Sequence, residues 1–132
     1  MDKQERVEIV NSLIKFISDR GGRYFYKKDT LLRKNANNVA YMKLKGGRVY
    51  FVDDWTEQDV YAYPNGKDRD GFSHGGTLWA LICDFGDFIR NGGNTNGSHG
   101  YGGLYSEYWG YDDQSIKEVI AYAKEIGYLK GE

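Results

Sequence analysis

Apolar side chains recur at three- and four-residue intervals near the start of the chain, at Val7, Val10, Leu13, Ile14 and Ile17. That spacing sets them along one face of an α-helix and predicts a helix from Asp2 to Arg20, stopped by Gly21 and Gly22. Lys3, Glu5, Arg6, Glu8 and Lys15 read as its solvated face. The pattern then shortens. Arg23–Lys27 is aromatic and preceded by glycines, and predicts a strand; Asp29–Lys34 predicts a second. Val39–Lys45 and Arg48–Asp53 flank Gly46-Gly47, which signals a hairpin because both central residues of such a turn need positive φ. Val60–Tyr63 is a final strand, ended by Pro64-Asn65-Gly66. Helical spacing returns from Thr77 to Arg90, in Leu78, Leu81, Ile82, Phe85 and Phe88 or Ile89, and again from Asp113 to Ile126, in Ile116, Val119, Ile120 and Ala123. Asp112 or Asp113 caps the last helix and Gly127 stops it.

These elements predict an α+β fold. An antiparallel four- or five-stranded meander carries the N-terminal helix and two C-terminal helices on one face and leaves its other face partly wet. No internal repeat or linker interrupts residues 1–132, so a single domain is expected.

Composition narrows the setting. Hydrophobic residues are 40% and charged residues 28% of 132, an ordinary balance for a folded domain. The net charge of −1, and the lack of any helix with a basic stripe, argue against direct nucleic-acid binding. One cysteine, Cys83, rules out an internal disulfide; inside an apolar helical pattern it reads as a buried, inert thiol. No apolar run is long enough for a membrane span, and the charged start MDKQERVEIV lacks a signal-peptide core, so a cytoplasmic protein is expected. Two biases remain: 18 Gly against one Pro, and 12 Tyr. Tyrosine gives large contact area at low entropic cost and suits binding surfaces, but it is also a good strand residue.

The sharpest local feature is Ser73-His74-Gly75-Gly76-Thr77 at the start of the second helix. Unpaired N–H groups there carry partial positive charge, and glycines let a ligand approach the backbone; phosphate or carboxylate would be welcome. Arg69 and Lys67 lie just upstream. The plainer reading is that Ser73 or Thr77 caps the helix while the glycines turn the chain. A phosphate loop of the GxxxxGK[ST] type is missing. The second feature is the glycine-rich stretch Asn91–Tyr111, whose Tyr101, Tyr105, Tyr108, Trp109 and Tyr111 could stack on a nucleobase or fill a partner's pocket. Its plainer reading is a long surface loop whose Trp109 plugs the edge of the core. His74 and His99 are each followed by Gly. Neither zinc-ligand spacing nor a nucleophile elbow accompanies them, so no metal, no cofactor and no catalytic residue is assigned. Asp53 and Asp54 are adjacent on a strand and point to opposite faces, which prevents a simple acid/base pair.

Gly71-Phe-Ser-His-Gly-Gly-Thr77 with the following helix to Phe88-Ile-Arg-Asn-Gly92, Phe51-Val-Asp-Asp-Trp55, and Tyr108-Trp-Gly-Tyr111 together resemble a loose group of small uncharacterised phage and prophage accessory proteins, over roughly Tyr24 to the C-terminus. The resemblance brings no activity with it. It implies a phage setting, in which such a protein blunts a host defence system from within the host cytoplasm.

Three functions follow as expectations. The first is a non-catalytic sponge that sequesters an anionic, nucleotide-type immune signal, using Arg69, Ser73, His74, Gly75, Gly76 and Thr77 with His99, Tyr101, Tyr108 and Trp109. The second is a protein-binding inhibitor of a host defence complex, such as an anti-CRISPR. The third is a small nucleotide hydrolase using His74 and His99. A homo-oligomer building its site across a dimer is compatible with each, and no membrane partner is expected.

Overall fold

The first helix, α1 (Lys3–Asp19), starts where the Asp2 carboxylate accepts the Glu5 N–H at 2.8 Å. Glu5 Oε1 reaches back to the Asp2 N–H at 3.4 Å. This reciprocal pair is a capping box, which satisfies two backbone donors that the helix leaves open. The computed structural model describes residues 2–19, 40–52, 59–62, 75–92, 104 and 113–129; for residues 19 and 75–80 it describes the backbone alone.

Three strands follow: β1 (Tyr41–Lys45), β2 (Arg48–Val52) and β3 (Asp59–Tyr61). They form an antiparallel sheet in the order β1-β2-β3, which is the expected meander. Gly46 (φ 59°) and Gly47 (φ 78°) make the β1–β2 turn. Positive φ at both positions is what a two-residue turn of type I′ demands, and its twist matches that of the flanking strands. The strands expected over 23–27 and 29–34 lie outside the described residues, so the described sheet has three strands.

Helix α2 (Gly75–Asn91) starts two residues before the expected Thr77. Gly75, Gly76 and Thr77 thus occupy its first turn, and Thr77 cannot be its cap. Residues in a first turn need no acceptor four residues back, so glycine is tolerated there despite its low helix propensity. Helix α3 (Asp113–Glu125) ends in a Schellman turn. The Tyr128 N–H bonds the Ala123 carbonyl at 2.9 Å and the Gly127 N–H bonds that of Lys124 at 3.3 Å, with Gly127 at φ 91°.

The core lies between α1, α2 and the inner face of the sheet. Val10, Leu13, Ile14 and Ile17 of α1 meet Leu81, Ile82, Phe85 and Ile89 of α2, with Met42, Val49 and Phe51 beneath. All are buried. Helix α3 packs chiefly on α1. Phe16 and Tyr122 stack there, with ring centroids 4.2 Å apart and planes within 4°. Beyond its end, buried Tyr128 packs edge-on against Phe85 and Phe88, at 5.4 and 4.9 Å.

Polar side chains lock the elements together. The Asn11 amide spans the outer edge of β1: it donates to the Met42 carbonyl at 2.9 Å and accepts the Met42 N–H at 2.7 Å. Met42 is paired with Phe51 on its other side, so Asn11 closes a stretch of edge that another strand could otherwise extend. Arg6 Nε donates to the Ile89 carbonyl at 2.8 Å, at the C-terminus of α2, where unpaired carbonyls favour a cation. Arg90 reaches from α2 to the end of β3, donating to the Ala62 carbonyl while its other nitrogen bonds Asp87 at 3.1 Å.

A candidate ligand-binding face on the sheet

Strand alternation assigns every sheet residue to one of two faces. Met42, Leu44, Val49, Phe51, Val60 and Ala62 point into the core. The outer face reads, row by row across the sheet, Tyr41–Val52–Asp59, then Lys43–Tyr50–Tyr61, then Lys45–Arg48. Three tyrosines and three cations thus share a face with one carboxylate, in a chain whose overall charge is −1.

The geometry within this face is close. The Tyr50 and Tyr61 rings lie 5.4 Å apart at an interplanar angle of 42°. The Arg48 guanidinium sits 5.6 Å from the centre of the Tyr61 ring, a cation–π arrangement. Lys43 Nζ pairs with Asp59 at 2.7 Å. The hydrogen bond to Asp59 holds the Lys43 ammonium above its ordinary pKa, so it stays charged. Lys45 and Arg48 are exposed beside the turn, and Tyr41 is 44% exposed. Val52, between Tyr41 and Asp59 in the row farthest from the turn, is 8% exposed, so that row is covered at its centre and open at its two ends.

Of the residues singled out in the sequence, Gly75, Gly76 and Thr77 take the first turn of α2. Arg69, Ser73, His74, His99, Tyr101, Tyr108 and Trp109 lie outside the described residues. A groove of about 310 Å³ runs between Glu5, Glu8, Ile9 and Ser12 of α1 and Ile126 after α3. It is shallow, and its two carboxylates would repel the anion expected at the start of α2. Among the described residues no group of His, Cys, Asp and Glu is arranged to hold a metal, and no helix is long and apolar enough to cross a membrane.

Cys83 is 2% exposed on α2. Burial, then Asp87 and Asp84 nearby, push its thiol up to about 12, so it is a poor nucleophile. Burial also holds the Tyr128 hydroxyl well above its ordinary range. These shifts have one sign. An unfolded thiol ionises near 9.0, so between pH 9 and 12 the unfolded chain releases a proton that the folded chain keeps, and stability falls as pH rises. We expect the urea midpoint to drop between pH 7.5 and 10.5, and Cys83→Ala to remove part of that drop. Equal pH dependence in both proteins would show that the thiol does not contribute.

The sheet face carries no contiguous sequence motif. A signal was available: writing Tyr41-x-Lys43-x-Lys45 and Arg48-x-Tyr50 as alternating positions around Gly46-Gly47 sets aromatic and basic residues on one side. Tyr61 joins them only through the β2–β3 register.

The YoqU family model matches residues 1–132 of this chain. The chain belongs to the YoqU family. A YoqU relative from Bacillus subtilis (strain 168), the SPbeta prophage-derived uncharacterized protein YoqU, is 36% identical over 127 residues. The match spans 96% of this chain and 84% of that protein. No solved structure matches the chain significantly. The expected kinship with uncharacterised prophage proteins therefore holds over 96% of this chain, and the family match includes α1, which the resemblance had not covered.

Proposed function

We propose that this chain is a non-catalytic binding protein for an anionic, base-containing molecule of the nucleotide class. The observation that carries this reading is the outer sheet face, where Tyr50 and Tyr61 offer flat rings beside Lys43, Lys45 and Arg48. Rings take a base by stacking and the cations take its phosphate. The prophage origin of the Bacillus subtilis relative supports a counter-defence setting, in which the protein would act as a sponge for a nucleotide immune signal. The first turn of α2 remains a second place for the phosphate.

A thermal-shift titration against nucleoside mono- and diphosphates, cyclic nucleotides and ADP-ribose tests this. At about ten times Kd, a bound ligand adds roughly 1.4 kcal/mol, a rise of about 4–7 °C. Arg48→Glu abolishes the rise if the ligand sits on the sheet; loss in His74→Ala instead puts it at the start of α2. No saturable shift with any compound would overturn the reading. The alternative, an inhibitor of a host defence complex such as an anti-CRISPR, is favoured by the exposed Tyr41 ring at the edge of the same face. A host protein that co-purifies at one-to-one stoichiometry, and is lost in Tyr41→Ser, would support it. The hydrolase reading through His74 and His99 gains no support from the described residues.

A further inference from the structure

We infer that the physiological ligand of the sheet face is a single-stranded nucleic acid rather than a lone nucleotide. This rests on the reading that the face takes a base-bearing anion at all.

Three features point to a polymer. The tyrosines stand on different strands: Tyr41 on β1, Tyr50 on β2 and Tyr61 on β3. Adjacent strands lie about 4.8 Å apart, so Tyr50 and Tyr61 form a short row across the sheet. One nucleotide needs one ring; a row offers successive bases successive rings. The cations are also spread, with Lys43 in the row of Tyr50 and Tyr61 and with Lys45 and Arg48 in the next row toward the turn. A mononucleotide reaches one end of this arrangement, whereas a strand laid across it meets both rings together with Lys45 and Arg48, Lys43 being paired with Asp59. Finally, Tyr41, Lys45 and Arg48 are exposed on this face, which carries three cations against the carboxylate of Asp59, while the chain as a whole is slightly acidic. That local excess is complementary to a phosphate backbone, and every base has a π-face that such rings accept without regard to sequence. The lack of a basic helix bears on reading the groove of duplex DNA; it does not bear on a platform of strands.

The test is fluorescence anisotropy with a labelled oligothymidylate of about 12 nucleotides, within the reach of single-strand binders. Unlabelled thymidine monophosphate and a duplex of the same length serve as competitors. We expect a Kd between about 1 and 100 μM at physiological salt, in the range of sequence-independent binding. Two neutralised phosphates give a slope of about −1.4 in log affinity against log salt, at roughly 0.7 per phosphate for single strands. The monophosphate should compete at least about 100-fold less well, and the duplex at least about tenfold less well. Arg48→Glu and Lys45→Glu, both exposed and checked for folding by circular dichroism, should each weaken binding about tenfold or more. Tyr61→Ala should weaken it at least about fivefold, as a lost stacking ring does.

Monophosphate binding as tight as the oligonucleotide's would overturn the inference and leave the nucleotide reading standing. Equal binding of duplex and single strand would overturn it as well, because charge alone would then explain the contact. Binding of neither monophosphate nor oligonucleotide would remove the underlying reading too.

Discussion

Phe85→Ala will lower the stability of this protein by roughly 3–5 kcal/mol, the usual range for removing a buried ring. Phe85 has no exposed surface and stands on the inward side of α2. Its ring meets the edge of Tyr128 at 5.4 Å, and Tyr128 is held in place by the Schellman turn that ends α3. The substitution therefore empties the centre of the core and takes away the surface against which the C-terminal turn packs. A domain of this size has about 5–15 kcal/mol in total, so about a fifth or more disappears. The melting temperature should fall by about 10–20 °C. Phe85→Leu keeps most of the apolar volume and should cost less than half as much. Urea unfolding followed by circular dichroism measures both. A loss under about 1 kcal/mol for Phe85→Ala would mean that α2 and the end of α3 do not meet through this ring.

Arg90→Ala should cost about 2–3 kcal/mol, because it removes a charged donor from the Ala62 carbonyl and its partner from Asp87. Gly86 makes that bond possible. A methyl group there would lie 3.0 Å from Arg90 Nη2 and 3.2 Å from the Ala62 Cβ. Gly86→Ala alone improves helix propensity by about 1 kcal/mol yet displaces the guanidinium, and a net loss of about 1 kcal/mol is expected. With Arg90→Ala already present, the displaced group is gone. The double substitution should then be less damaging than the sum of the two singles by about 1–2 kcal/mol. Strict additivity would show that Gly86 and Arg90 do not share this space.

What the sequence revealed was local. Val7 to Ile17, Leu78 to Ile89 and Ile116 to Ala123 carry helical periodicity within a few turns, and Gly46-Gly47 carries its hairpin in two residues. These signals need no distant partner. The start of α2 was misplaced by two residues because glycine is a poor helix former, and only the first turn excuses it. The polar locks were not legible at all. Asn11 finds its strand 31 residues away, Arg90 its carbonyl 28 away and Arg6 its helix end 83 away. Nothing in the neighbourhood of Asn11 or Arg6 marks either as more than a solvated helix residue. The candidate face lay between these cases. Its alternation was visible in each strand, but joining Tyr61 to Tyr50 required the register across a connection that no sequence pattern fixes.

The position of α1 in the chain has a consequence for how the protein is made. Arg6, Asn11 and Phe16 take their partners from α2, β1 and α3, all of which leave the ribosome after them. Helix α1 therefore waits for its partners: its apolar stripe of Val10, Leu13, Ile14 and Ile17 stays uncovered until translation has passed α2, and Phe16 waits longer, for Tyr122 of α3. Long sequence separation between contacting elements slows folding and prolongs such exposure. Nascent chains arrested before residue 75 should accordingly bind a chaperone that the released protein ignores.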